Sequence, residues 1–411
     1  MTDTSQPMAL AGLKVLDLSR ILAGPYAAQT FADLGADVVK IETPQGGDDT
    51  RKWGPPFTVN ADGSRDDAAY FSACNRNKRS VTVDFSTAEG SALVRDLAAK
   101  ADILIENFRP GSLAKYGLDY ASLAAINPGL IYCSITGFGQ TGPYAHRSGY
   151  DFLIQGMGGL MSITGQPDAV DGGGPVKVGV AVCDLFTGMF AANAALAALA
   201  YRARTGKGQH IDCALLDSQI AMLANQSANW LNAEVCPGRM GNSHPSVVPY
   251  TVYAAEDGFV IVACGNDAQF GRLTAALGVA HLADEADFQT NEARILNRDR
   301  LDAMLGDVIG GMDRATVIAK LEAAAVSCGP INSIAEVFDD PHVVARGARI
   351  DQQRDDGSLV STTAYAAKLG VTPAQYRSPP PRLGEHTDEV LRDWADLPED
   401  AIAALRSAGV I

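Results

Sequence analysis

Short apolar, β-branched runs alternate with helical stretches through the first half of the chain, and few folds accept that alternation. Val15-Leu16-Asp17-Leu18, Asp37-Val38-Val39-Lys40-Ile41-Glu42 and Ser80-Val81-Thr82-Val83-Asp84 read as strands. So do Asp102-Ile103-Leu104-Ile105-Glu106 and Leu130-Ile131-Tyr132-Cys133-Ser134-Ile135. Helices are expected from Pro25 to Leu34, opening after Gly24, and from about Thr87 to Lys100. Strands separated by helices, each closing near a polar or charged residue, predict an α/β protein with a doubly wound parallel sheet. Ligands of such sheets collect at the carboxyl ends of the strands.

The next feature is a single carboxylate at the head of an apolar helix. Gly179 to Gly188 leads through Asp184 into Leu185–Tyr201, where Thr187 and Asn193 are the only polar side chains. A helix that is apolar all round is usually buried, which puts Asp184 at the mouth of the core. The positive end of the helix dipole favours its ionised form. Taken alone, Asp184 reads as an N-cap, since Asp is a preferred capping residue. Catalysis is the competing reading. The same run is at the short limit for a membrane span, is rich in alanine and is followed by Arg202 and Arg204, so a core helix is expected.

That helix stops at Thr205-Gly206-Lys207-Gly208, where glycines suit a left-handed cap, and Gln209 to Leu215 is a further strand. From about Met222 the texture changes. A loop rich in Gly, Pro, Ser and Asn, Cys236 to Pro249, leads to a hairpin of Tyr250–Ala254 with Phe259–Ala263. Helical stretches follow to about Ala325, so residues 225–325 are expected to form a smaller second domain. A chain of 411 residues has room for it.

Charge and cysteine usage narrow the class. A net charge of −15 argues against general nucleic-acid or anionic-membrane binding. Seven cysteines without a CxxC pair fit free thiols in a reducing compartment. The amino terminus, MTDTSQPMALAGLK, shows no basic segment ahead of a long apolar one, so a cytoplasmic protein is expected.

Several common chemistries lack their motif. Gly137-Phe138-Gly139-Gln140-Thr141-Gly142 matches a dinucleotide fingerprint after a strand, but Pro143-Tyr144-Ala145-His146-Arg147 follows where a helix should open. There is no P-loop and no G-x-S-x-G elbow. Six histidines are scattered without metal-ligand spacing, so no metal site is expected. Two clusters could still hold a phosphorylated ligand. One is Asn75-Arg76-Asn77-Lys78-Arg79-Ser80; the other is Glu106-Asn107-Phe108-Arg109-Pro110-Gly111, with Lys115 a turn later. The bland alternative for both is a solvated charge run.

Read together, Ala23-Gly24-Pro25, Leu34-Gly35-Ala36-Asp37-Val38-Val39-Lys40-Ile41-Glu42 and Asn77-Lys78-Arg79-Ser80 carry a resemblance. Glu106 to Gly111, Gly149-Tyr150-Asp151, Asp184, Thr205-Gly206-Lys207-Gly208-Gln209 and Gly384-Glu385-His386-Thr387 extend it. In order and spacing these resemble class III CoA-transferases, the CaiB/BaiF family. The resemblance implies a Rossmann-like large domain built from residues 1–224 and 326–411, a smaller α+β domain at 225–325, and a homodimer of interlocked rings. It implies a coenzyme A thioester as co-substrate with no permanently bound cofactor, and a carboxylic acid as the other substrate. The family nucleophile falls on Asp184. CoA contacts fall on Ala23, Val83, Asp84, Asn107, Phe108, Arg109, Lys115, Phe138 and Gly139. Lys115 stands where formyl-CoA transferase carries Arg, while Thr43 and Leu22 replace a basic contact and an active-site Gln of that enzyme.

The fold also carries α-methylacyl-CoA racemases, whose motif is Gly-His-Asp where this chain has Gly149-Tyr150-Asp151. A phenol with a pKa near 10 is a poor base at neutral pH, which favours transfer over racemisation. The loop Gly238 to Tyr250, with Gly265 to Phe270, resembles the branch acting on dicarboxylates, succinyl-CoA–glutarate transferases among them. A distal carboxylate needs a cation, for which Arg147, Arg239 and His244 are candidates, with Tyr150 beside them.

Overall fold

Six strands form one fully parallel sheet: β1 (Lys14–Asp17), β2 (Asp37–Glu42), β3 (Lys78–Thr82), β4 (Ile103–Glu106), β5 (Ile131–Thr136) and β6 (Gln209–Ala214). Their order across the sheet is β3-β2-β1-β4-β5-β6, with Val15 opposite Val38 and Leu16 opposite Leu104. The chain therefore builds outward from β1 to one edge, then returns to β4 and builds to the other. Loops leaving β1 and β4 turn to opposite sides, and the crevice this opens at their carboxyl ends is where such sheets bind ligands. The expected parallel sheet is present. The structure is a computed structural model and describes residues 8–411; the start of the amino-terminal segment read above lies outside the described residues.

Side-chain alternation explains the packing. Val15, Val38, Ile103, Ile105, Ile131 and Cys133 face one core, and Leu16, Val39, Leu104 and Tyr132 face another. Strands buried on both faces need continuous apolar sequence, which is what the runs supply. Four helices matter for the site: α1 (Ala23–Asp33), α2 (Ala88–Ala99), α3 (Asp151–Met157) and α4 (Val182–Thr205). The first core is covered by α1 and α4, the second by α2 and the carboxyl-terminal helices.

The α4 helix corrects one expectation. It is not buried all round but along a stripe, Cys183, Thr187, Ala191, Ala195 and Ala198, at helical spacing. Small side chains on that stripe let it lie close to α1. A Cβ added at Gly188 would stand 2.6 Å from the Ala23 carbonyl oxygen, so only glycine admits this approach. The other side of α4 leaves Phe186, Met189 and Phe190 exposed.

Two compact units divide the chain. The larger takes the chain up to Leu160, then Lys177–Val235 and Val344–Ile411, and contains the parallel sheet. The smaller takes Met161–Val176 and Cys236–Val343. Its sheet is antiparallel: β7 (Tyr250–Ala255), β8 (Gly258–Ala263) and β9 (Ser327–Pro330). The expected hairpin is β7 with β8, and β9 pairs on the other edge of β8. Phe270, Leu301, Leu305, Val317 and Leu321 from its helices close a separate core on that sheet.

Candidate active site

A cavity of about 700 Å³ opens within the larger unit at the carboxyl ends of β1 and β4. Residues 20–23 leave β1 and residues 107–110 leave β4; Ile135 to Gly137 end β5, and Arg147 to Asp151 and Asp184 line the wall with Asp49, Trp53, Ser112 and Leu215. Its place follows from the strand order, since the two loops diverge there.

The β1 loop is held in a conformation its sequence would not choose. Ile21 has φ of +74°, rare for a β-branched residue, and such outliers persist only where their surroundings over-determine them. Here they do. The Asp48 carboxylate accepts from the Ile21 N–H at 3.2 Å, and Lys40 Nζ donates to the Ser19 carbonyl at 2.7 Å and pairs with Asp48 at 2.9 Å. Burial alone would raise the Asp48 carboxyl, but Lys40 and the Thr50 hydrogen bonds outweigh it and bring it down to about 2. The β4 loop is tied to the same segment. Asn107 accepts from the Arg20 N–H at 2.9 Å and donates to the Arg20 carbonyl at 2.7 Å, so its amide clamps the two loops together. Beneath it, Glu106 accepts from the Phe108 N–H at 2.8 Å, and burial pushes its carboxyl up to about 7.

Asp184 is the third residue of α4 and lines this cavity. The capping expectation is overturned: the N-cap is Ala181, which makes no side-chain cap bond. The N–H of Cys183 is satisfied instead by Asp151, whose Oδ1 accepts it at 2.8 Å. Among the described residues no hydrogen bond reaches the Asp184 carboxylate. The dipole's pull toward the ionised form meets opposing effects here. Burial, and then the neighbouring negative charge of Asp151, push its carboxyl up to about 7. An unbonded carboxylate of raised basicity, facing an open cavity, is poised to attack an electrophile.

The other expected residues divide. Ala23, Asn107, Phe108, Arg109, Arg147 and Tyr150 line the cavity. Arg109 donates to the Ser148 hydroxyl at 3.0 Å, and the Arg147 guanidinium lies 4.7 Å from the Tyr144 ring centre without a carboxylate partner among the described residues. Val83, Asp84, Lys115, Phe138 and Gly139 lie outside the lining. Val83 is buried in the second core, Asp84 bonds Ser86, and Lys115 lies 4.5 Å from the Tyr116 ring centre. Phe138 packs edge-on against Tyr144, and the Gly139 N–H donates to Thr136. Arg239 and His244 belong to the smaller unit, where Arg239 is paired with Asp168 and His244 packs on Tyr250.

The Asn75–Ser80 cluster is not a phosphate site. Arg76 is buried against Asp33, and Lys78 is buried against Asp17 at 2.9 Å. Arg79 pairs with Asp37 at 2.6 Å. Residues that the sequence reading passed over are Arg20, Asp49, Trp53 and Asp151. The first lies directly past the end of β1, where the doubly wound pattern points. Asp151 sits in Gly149-Tyr150-Asp151, a motif whose distinguishing residue is the tyrosine.

Known proteins resemble the chain over nearly its whole length. CoA-transferase family III matches residues 10–387. The chain is 50% identical over 402 residues to the succinate–glutarate CoA-transferase of Agrobacterium fabrum, spanning 98% of this chain and all of that one. It is 38% identical over 410 residues to the succinyl-CoA:glutarate CoA-transferase of Homo sapiens, spanning 100% of this chain and 91% of that one. Among solved structures, a CAIB/BAIF family protein from Brucella suis superposes with a TM-score of 0.85 at 52% identity, covering 95% of this chain and 100% of that one.

Proposed function

The chain belongs to CoA-transferase family III, and we propose that it moves CoA from succinyl-CoA to a dicarboxylic acid, with Asp184 as the covalent carrier. The observation that carries this reading is the unbonded Asp184 carboxylate in the switch-point cavity. The Asp184 carboxylate attacks the thioester carbonyl, the C–S bond breaks, and CoA leaves as thiolate from an aspartyl–succinyl anhydride. The thiolate then attacks the aspartyl carbonyl, giving an aspartyl-CoA thioester and free succinate. The acceptor carboxylate attacks that thioester and expels the thiolate again. Thiolate attack on the acceptor's carbonyl releases the new acyl-CoA and restores Asp184. Every step exchanges a carboxylate for a thiolate, so no proton has to be moved and no separate base is required. The direct test is succinyl-CoA with a panel of dicarboxylates, acyl-CoA products being followed by mass. Exchange with none of them would sink the assignment.

Arg147 supports a dicarboxylate acceptor, because it lines the cavity and has no carboxylate partner among the described residues. Arg147→Leu is expected to lower kcat/KM for glutarate about 10- to 100-fold relative to a monocarboxylate of equal chain length, the worth of one charge-assisted pair. Equal losses on both acids would move Arg147 from the acceptor to the CoA phosphates. Ala23, Phe108 and Arg109, together with Lys115, are the positions through which CoA would be held.

The exposed apolar side of α4 supports the homodimer. Phe186, Met189 and Phe190 lie on a helix that buries only one stripe, and an apolar surface of this kind calls for a partner. A second copy of this chain, interlocked with the first, is the partner proposed. Purified protein is expected to sediment at twice the chain mass, and a monomer with full transfer activity would contradict this.

A further inference from the structure

Asp151 bonds the helix turn that carries Asp184 and places its charge beside that carboxylate. It opens α3, and its two oxygens are both used: Oδ1 accepts from the Cys183 N–H at 2.8 Å and Oδ2 from the Gln155 amide at 2.7 Å. Gln155 in turn accepts from the Val178 N–H at 2.9 Å. Two α3 side chains thus stitch down the segment that leads into α4. The first turn of a helix leaves N–H groups without intrahelical partners, and a residue within the segment usually supplies the cap. Here the acceptor comes from 32 residues earlier in the chain. An Asp at the third helical position could itself turn back to an amino-terminal N–H. With the Cys183 N–H already satisfied, Asp184 is not needed to cap it.

We propose that Asp151 is a positioning residue: its carboxylate closes the first turn of α4 from outside the helix, leaving the Asp184 carboxylate unbonded toward the cavity, and its negative charge makes that carboxylate the stronger attacker. The proposal rests on Asp184 being the group that attacks. The titratable groups nearest Asp184 are Asp151 from α3, Cys183 from its own helix, and Tyr70, whose hydroxyl is pushed up to about 12 by burial and then by Asp184. Arg20, Asp49, Arg109, Arg147 and Tyr150 face it from the cavity wall. Of all these, Asp151 is the charge that raises the Asp184 carboxyl, after burial itself. A more basic carboxylate forms its bond to the thioester carbonyl more readily, while less of it is ionised at low pH.

The test compares wild type, Asp151→Asn, Asp151→Glu and Asp184→Asn as full-length protein, reading kcat/KM for transfer against pH. The amide of Asp151→Asn still accepts from Cys183 but has lost the charge. It is expected to move the acidic limb of the profile down by about one pH unit, and to lower the plateau severalfold. Asp151→Glu, which keeps the charge, is expected to hold the limb at the wild-type position. If Asp151→Asn does not fold, Asp151→Ser carries the same expectation, since its hydroxyl can accept from Cys183 without charge. An unmoved limb in the neutral variants, with Asp184→Asn inactive, overturns the role of Asp151 alone. Transfer by Asp184→Asn at the wild-type rate overturns the nucleophile and this inference with it.

Discussion

Asp184→Asn is expected to lose at least about 10⁴-fold in kcat for transfer, the scale of removing a covalent nucleophile, and to become more stable while doing so. Both effects come from one cause. The half-buried carboxylate meets no hydrogen-bond donor among the described residues and lies beside Asp151, and its pKa rises to about 7. Its folded pKa thus lies above its unfolded value, so the fold favours the protonated form. Relative to a neutral isostere, the wild-type protein loses stability as pH rises from the unfolded pKa through about 7, and the loss is complete above it. The amide carries no such penalty. The gain expected above pH 7 is about 2 kcal/mol, less than the full displacement implies because the group faces an open cavity. It should vanish near pH 4. Urea unfolding midpoints at the two pH values measure it, and a variant that is inactive and also less stable at pH 8 would assign Asp184 a structural role. The wild-type profile of kcat/KM should show its acidic limb near pH 7, where the free enzyme's carboxylate ionises.

This trade, stability given up where chemistry is needed, was only half legible in the sequence. The strands were readable because each carries apolar side chains on alternate faces, and both faces are covered. The loop at Gly137–Gly142 was readable because no helix-forming sequence follows it. Asp184 stood out by being the lone carboxylate before an apolar run. What stayed hidden is which partner each charge meets. The Asp151–Cys183 bond joins residues 32 apart, and the Arg76–Asp33 contact joins residues 43 apart. Local pattern fixes secondary structure, whereas such pairings exist only once the sheet order brings distant loops together. For that reason a helix-start aspartate looked like its own cap, and a run of buried structural cations looked like a ligand site.

Lys78 provides the sharper test of that second confusion. Its ammonium is fully buried, pairs with Asp17 at 2.9 Å, and donates to the Pro25 carbonyl and the Asn75 amide oxygen at 2.8 Å each. Burial alone would raise the Asp17 carboxyl, but Lys78 and Lys40 outweigh it and hold it below the ordinary aspartate value. Asp17 therefore adds stability above its unfolded pKa, and that stability is lost only as acid protonates it. Removing one member of a buried pair leaves an uncompensated charge, so Lys78→Met is expected to cost about 3–5 kcal/mol in urea unfolding near neutral pH. Replacing both partners, Asp17→Leu with Lys78→Met, should recover part of that loss, because the stranded carboxylate goes with it. Recovery cannot be complete, since Asp17 also accepts from the Ser19 N–H at 3.0 Å at the head of the cavity loop. The same bond predicts a functional echo. With Asp17 and Pro25 released, the loop that carries Arg20 to Ala23 loosens, and the KM for acyl-CoA should rise in step with the lost stability. A lysine that bound CoA phosphate directly would behave the other way, raising KM while leaving the unfolding midpoint where it was.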